Sequence, residues 1–86
     1  MITLSTGMNT LITPLQCRMA RAALKIGVRE LAQLAGISVM TVTRFENEQS
    51  GGHASTVAAL QAALETAGVV FVPENGGGAG VRMRKG

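Results

Sequence analysis

Apolar residues recur at helical spacing along most of the chain between residues 14 and 68. The first run has apolar residues at helical spacing: Leu15, Met19, Ala22, Ala23 and Ile26. This run predicts a helix from about Pro14 to Lys25. Thr13 followed by Pro14 is typical of a helix start, because threonine caps free N–H groups and proline needs none at the first position. Gly27 ends the pattern.

Two short helices are predicted next, separated by only three residues. In VRELAQLA, Leu31, Ala32 and Ala35 share one face, while Arg29, Glu30 and Gln33 share the other. Gly36 can adopt the left-handed conformation that closes a helix. Ser38 then offers an N-cap hydroxyl to a third helix, which ends near Glu46 or Asn47 and turns Val42 and Phe45 inward.

The polar loop NEQSGGHA, residues 47 to 54, precedes a fourth predicted helix that Ser55 caps. Its apolar stripe consists of Val57, Leu60, Leu64 and Ala67, and Gly68 stops it. The remaining residues change in character: VVFV is β-branched and aromatic, PENGGGAG is turn material, and VRMRK alternates apolar with basic residues. They predict a β-hairpin that packs on the helices, because a lone hairpin could not cover apolar side chains on both faces.

The pattern therefore predicts one mainly α domain of four to five helices with a C-terminal β-strand or hairpin element. Three segments follow from it: an N-terminal arm over residues 1–13, a helical domain over 14–68, and a β element over 69–86. The arm shows no sustained period and is expected to be flexible. A disordered glycine-rich tail is the alternative for the last segment.

The composition gives the chain a net positive charge. The 86 residues include eight Lys and Arg against five Asp and Glu, a net charge of +3. This charge is compatible with a polyanionic partner. One cysteine, Cys17, forms no internal disulfide and is expected to be a small packing residue in a reducing compartment. No signal peptide or long apolar run is visible, so a cytoplasmic protein without a membrane segment is expected.

The sequence contains few candidates for catalytic or metal-binding residues. The chain has one histidine, His53, in a glycine-rich loop without a second metal ligand at suitable spacing. The five acidic residues are spread along the chain, and the NGGG run lacks the Lys-Ser/Thr ending of a phosphate-binding loop. We expect no enzyme, no cofactor and no metal site.

The run RAALKIGVRELAQLAGISVMTVTRFEN, from Arg21 to Asn47, resembles the Cro/CI-type (XRE-like) helix-turn-helix DNA-binding domain. The matching features are an arginine in the first helix, "ELA", "AG-hydrophobic-Ser", a buried apolar residue in the third helix, and a Glu-Asn ending. More loosely, the resemblance covers residues 14 to 68. It implies that the third helix, residues 38–47, lies in the major groove of DNA.

The resemblance also implies roles for single residues. Arg21 and Glu46 match a structural ion pair. The packing residues of the motif would be Leu31, Ala32, Ile37 and Val42, with Gly36 in the turn. The DNA face would consist of Ser38, Val39, Met40, Thr41, Thr43 and Arg44, of which Val39, Met40 and Arg44 match the main base-reading positions. Apart from these roles, the candidate phosphate contacts are Arg18, Val28, Arg29 and Asn47, with a solvated basic face as the alternative for Arg18 and Arg29.

Two residues depart from the family pattern. Val28 stands where members often carry a glutamine that bonds a phosphate, and Val39 stands where another glutamine commonly opens the recognition helix. Apolar side chains can instead pack on thymine methyl groups, and Arg44 can bond guanine through two hydrogen bonds. The expected function is a transcriptional regulator, more often a repressor that occludes its operator than an activator.

One recognition helix reads only a few base pairs, so a homodimer on a palindromic operator is expected. Its interface would involve the apolar residues of the β element: Val69, Val70, Phe71, Val72, Val81 and Met83. The alternative is a helix-turn-helix scaffold used as a protein-binding module, such as an anti-activator or an antitoxin. Val28, Val39 and Met40 favour this alternative, since exposed apolar clusters often mark protein interfaces.

Overall fold

The computed structural model describes residues 11–49 and 52–85 of the chain. Within these residues, four helices precede one antiparallel hairpin: α1 (Pro14–Leu24), α2 (Val28–Ala35), α3 (Val39–Glu46), α4 (Ala54–Thr66), β1 (Val69–Val72) and β2 (Gly80–Met83). The mainly helical class and the hairpin are confirmed. Most of the predicted arm, residues 1–10, lies outside the described residues. None of the described helices has the length and apolar character needed to cross a bilayer.

Helix α1 begins as predicted, with Thr13 as its N-cap and Pro14 in the first turn. It ends at Leu24, one residue earlier than predicted, because Lys25 adopts a left-handed conformation with φ 60°. The Lys25 N–H then bonds the carbonyls of Arg21 and Ala22 and closes the helix.

The buried face of α1 is not formed by the apolar residues whose spacing predicted the helix. Its buried residues are Gln16, Cys17 and Ala20, whereas Leu15 is 55% exposed and both Ala22 and Ala23 are exposed. The helix itself is confirmed, and of the residues whose spacing predicted it, Ile26 packs against the core. Hydrophobicity alone does not indicate that a glutamine is buried, because its burial depends on its amide being fully hydrogen-bonded.

Helices α2 and α3 follow the prediction closely. Leu31 and Ala32 are buried on α2, and Gly36 closes that helix in the left-handed conformation at φ 71°. Such an angle favours glycine, which has no Cβ to clash. The Ser38 side chain accepts a hydrogen bond from the Thr41 backbone N–H and caps α3.

Helix α4 begins one residue before its predicted cap: His53, not Ser55, is the N-cap residue, and it makes no side-chain capping bond. Val57, Leu60 and Leu64 are buried as predicted. Ala67 is exposed at the C-cap rather than part of the stripe, because the chain has already turned toward Gly68 and β1 there.

The hairpin pairs Val69 with Met83, Val70 with Arg82, Phe71 with Val81 and Val72 with Gly80. Cross-strand partners share a face, and successive residues alternate between faces. Val69, Phe71 and Val81 accordingly pack against the helices. The expectation that the hairpin packs on the helical domain is confirmed.

The core lies between the helices and the hairpin. Helix α1 contacts α3, α4 and β2, while α4 also contacts α2 and β1. The buried apolar residues are Ile12, Cys17, Ala20, Leu31, Ala32, Val42, Phe45, Val57, Leu60, Leu64 and Val69. Cys17 is fully buried, which confirms it as a packing residue. This packing fixes which side of α3 remains open to solvent.

Candidate nucleic-acid interface

The orientation of α3 is set by two residues on its inner side. Val42 and Phe45 are buried in the core. With these positions turned inward, Val39, Met40, Thr43 and Arg44 are left exposed on the opposite side. All six residues predicted for the DNA face, from Ser38 to Arg44 with Val42 omitted, thus lie on one short helix and its cap.

The hydroxyl groups at the start of α3 are largely bonded to each other. The Ser38 Oγ accepts the Thr41 N–H at 3.1 Å and lies 2.8 Å from the Thr41 Oγ1. One of the two hydroxyl protons is used between the oxygens, so the pair keeps a single proton for an outside acceptor. The hydrogen-bonding capacity of these two side chains is therefore small.

Two apolar side chains occupy the exposed surface beside these hydroxyls. Val39 is 41% exposed and Met40 is 59% exposed. They line an open depression together with Thr43, Arg44 and Gln49. The surface consequently changes along the helix, from apolar at its first turn to polar near its end.

Gln49 was missed by the sequence analysis, which assigned it to a polar loop. After α3 the chain turns back through Glu48, whose φ is 58°, and the Gln49 N–H donates to the Arg44 carbonyl at 2.9 Å. This turn places Gln49 at the same depression as Arg44. Glycine in a sequence often marks a left-handed turn, whereas glutamate does not. The position of Gln49 could therefore not be predicted from the sequence.

The four residues predicted to contact phosphates differ in their exposure and in the donors they can provide. Arg29 and Asn47 are exposed, at the start of α2 and at the C-cap of α3. Arg18 is also exposed, but its Nη1 donates to the Glu46 carbonyl at 3.1 Å. Val28 is half-buried and packs against the core, so only its backbone could bond a phosphate.

Arg21 and Glu46 join α1 to the end of α3. Arg21 Nε lies 2.8 Å from Glu46 Oε2, and Arg21 Nη2 lies 2.7 Å from Oε1. The Cys17 thiol also donates to Glu46 Oε2 at 3.2 Å, and Arg21 Nη1 donates to the Ile26 carbonyl. The buried carboxylate thus has three donors, and it belongs to the scaffold rather than to the exposed face.

This cluster changes the acid–base properties of its members. Burial raises the pKa of Cys17 to about 12, and the hydrogen bond to the Glu46 carboxylate adds to the effect. The pKa of Arg21 is raised above its usual value chiefly by its hydrogen bonds to Glu46. At neutral pH the arginine is charged and the thiol keeps its proton.

Gln16 is the second residue that the sequence analysis missed. Its Oε1 accepts the Thr13 N–H at 3.0 Å, while its Nε2 donates to the carbonyls of Val72 and Gly80 at 3.1 and 3.0 Å. The amide therefore connects the start of α1 to both strands. The spacing Thr13-x-x-Gln16 is that of a capping box, so half of this role was visible in the sequence.

The residues predicted for dimerisation are divided between two faces. Val69 is fully buried, and Phe71 and Val81 pack against the core, so these three serve the fold of their own chain. Val70 and Val72 are half-buried on the outer face, and Met83 is 44% exposed. In the described residues the sheet has two strands, which leaves one edge of each strand unpaired.

No protein-family model matches the sequence, and no curated protein matches it.

Proposed function

We propose that this protein is a sequence-specific DNA-binding transcriptional regulator of the Cro/CI-like helix-turn-helix class. The observation that carries the proposal is the unit formed by α2, a turn of three residues at 36–38, and α3. A glycine in the left-handed conformation opens the turn, and α3 presents a row of exposed side chains. In a helix-turn-helix this second helix enters the major groove, which is about 12 Å wide.

The charges of the chain support the same proposal. Arg44 on α3 and Arg29 on α2 are exposed, and no side-chain hydrogen bond engages either of them in the described residues. The net charge of +3 favours approach to a polyanion. In this proposal Arg44 reads a base edge, and Arg29 and Asn47 bond phosphates.

The regulator acts as a homodimer on a palindromic operator, with two recognition helices about 34 Å apart. The outer face of the hairpin, and the strand edges that are unpaired among the described residues, support this part of the proposal, because such edges readily accept another strand. Repression follows from occupying the operator.

Binding to duplex DNA over a salt series tests the function. A DNA-binding protein should lose affinity steeply as salt rises, with a slope of about −0.9 per phosphate contacted on a logarithmic plot. Binding to random duplex should be weaker than binding to a duplex selected from a random pool. Equal affinity for both would refute sequence-specific recognition.

The second candidate is a protein-binding module on the same scaffold. The exposed Val39 and Met40 favour it, since an apolar surface on a small domain can mark a protein interface. This candidate predicts little retention on random duplex or on heparin even at low salt, so the same titration separates the two functions.

A further inference from the structure

The side chains in the first turn of α3 offer few free hydrogen-bonding groups and much apolar surface. Val39 and Met40 are the exposed side chains there, and the neighbouring Ser38 and Thr41 hydroxyls are bonded to each other. Arg44 and Gln49 lie at the other end of the same depression. A base opposite the first turn therefore meets methyl and methylene groups, whereas a base opposite the far end meets amide and guanidinium donors.

The base edges in the major groove differ in whether they can use such a surface. All four bases present hydrogen-bonding groups in the major groove, but only thymine also presents a methyl group, at C5, where cytosine carries a hydrogen. An apolar side chain placed over a hydrogen-bonding edge leaves that edge without a partner, which is unfavourable. Placed over a methyl group, it removes apolar area from water.

We infer that Val39 and Met40 read the C5 methyl group of a pyrimidine, with Arg44 bonding a guanine a few base pairs away. The inference rests on the proposed function and names the chemical group that the site recognises. It extends to 5-methylcytosine, which carries the same methyl group at the same position. Binding to a site with cytosine at this position is then strengthened by C5 methylation.

Replacing single thymines by deoxyuridine tests the inference, since uracil lacks only the methyl group. A duplex selected by this protein from a random pool serves as the parent probe, and each thymine is replaced in turn at constant salt. We expect a loss of about fourfold at the position under α3, the factor that corresponds to about 0.8 kcal/mol for one buried methyl group. In the same position, 5-methylcytosine should bind more tightly than cytosine by a similar factor.

Matched variants connect the effect to the two side chains. A double variant, Val39→Ala with Met40→Ala, should fold, because both residues are exposed and alanine favours helix. It should bind the thymine and uracil duplexes equally. The control Leu15→Ala removes another exposed apolar side chain, on α1, and should keep the fourfold preference.

The outcomes separate this inference from the function on which it rests. A selected site without thymine, or one in which every uracil replacement has no effect, overturns the inference and leaves DNA binding in place. A double variant that still prefers thymine also overturns it. Absence of binding to any duplex at low salt overturns the proposed function, and the inference with it.

Discussion

Arg21 on α1 holds the buried Glu46 at the end of α3 through two hydrogen bonds of 2.7 and 2.8 Å. The glutamate is the last residue of the helix that carries the exposed residues of the candidate interface. Arg18, also on α1, donates to the backbone carbonyl of Glu46. Helix α1 therefore bonds this end of α3 through both the side chain and the backbone of Glu46. The orientation of α3 thus depends on residues outside the helix-turn-helix unit.

Removing the arginine should therefore destabilise the whole domain. Arg21→Met leaves a buried carboxylate without its ionic partner, and we expect a loss of about 3 kcal/mol in the free energy of unfolding by urea. The double variant with Glu46→Leu should recover most of that loss. Arg29→Met is the control, because Arg29 is exposed. A loss below about 1 kcal/mol in Arg21→Met would instead be typical of a surface ion pair.

The amide of Gln16 should be needed to attach the hairpin. Gln16→Glu replaces a donor by a carboxylate facing the carbonyls of Val72 and Gly80, and we expect a loss of about 2 kcal/mol or more. Amide hydrogen exchange should become faster in the hairpin than in α2. Gln33→Glu introduces the same negative charge at an exposed position and should have little effect on stability. Equal stability of the two variants would contradict the role of Gln16.

The thiol of Cys17 should make stability fall at alkaline pH. Its pKa is raised from 9.0 to about 12, so the folded chain keeps a proton that the unfolded chain releases between these values. Stability is then fully retained below pH 9 and declines above it, by at most about 1.4 kcal/mol per pH unit. Urea unfolding at pH 8 and pH 10.5 measures this decline.

Cys17→Ala provides the control for the alkaline decline, because it removes the titrating group and should reduce the difference between the two pH values. The native thiol should also resist alkylation at pH 8 and react once urea unfolds the chain. Rapid alkylation of the native protein, or an unchanged pH dependence in the variant, would contradict a buried, protonated thiol.

Arg44 should determine selectivity rather than stability. Arg44→Ala removes the exposed guanidinium near the end of α3, and we expect the preference for the selected duplex over random duplex to fall by about tenfold or more. Arg29→Ala, by contrast, should weaken binding to both duplexes alike and lower the salt slope by about one. Unchanged selectivity in Arg44→Ala would refute the assigned base contact.

The outer face of the hairpin should control the oligomeric state. Val70 is half-buried opposite Arg82, so Val70→Lys adds a charge to this face without opening the core. We expect a monomer by sedimentation with an unchanged circular dichroism spectrum. Gln33→Lys, on α2, should leave a dimer intact. Deleting residues 69–86 is a poorer test, because it removes Val69 from the core. A Val70→Lys dimer would place the interface elsewhere.

Local residues determined where most elements begin and end. Thr13 and Ser38 cap helices through their own side chains, and Gly36 adopts the left-handed angle that glycine favours. These features involve residues within a few positions of one another, so the order of residues specifies them directly. The same holds for the strands: the four residues of β1 are β-branched or aromatic, and apolar and basic residues alternate along β2.

The tertiary structure decided which surfaces are buried and which side chains meet. Gln16 is buried and Leu15 exposed because the glutamine amide bonds carbonyls 56 and 64 residues further along the chain. Gln49 lies near Arg44 because of the left-handed turn at Glu48. Val69 packs in the core of its own chain rather than against a partner chain. A buried polar group is stable only when its partners are in place, and those partners are brought together only when the helices and the hairpin pack.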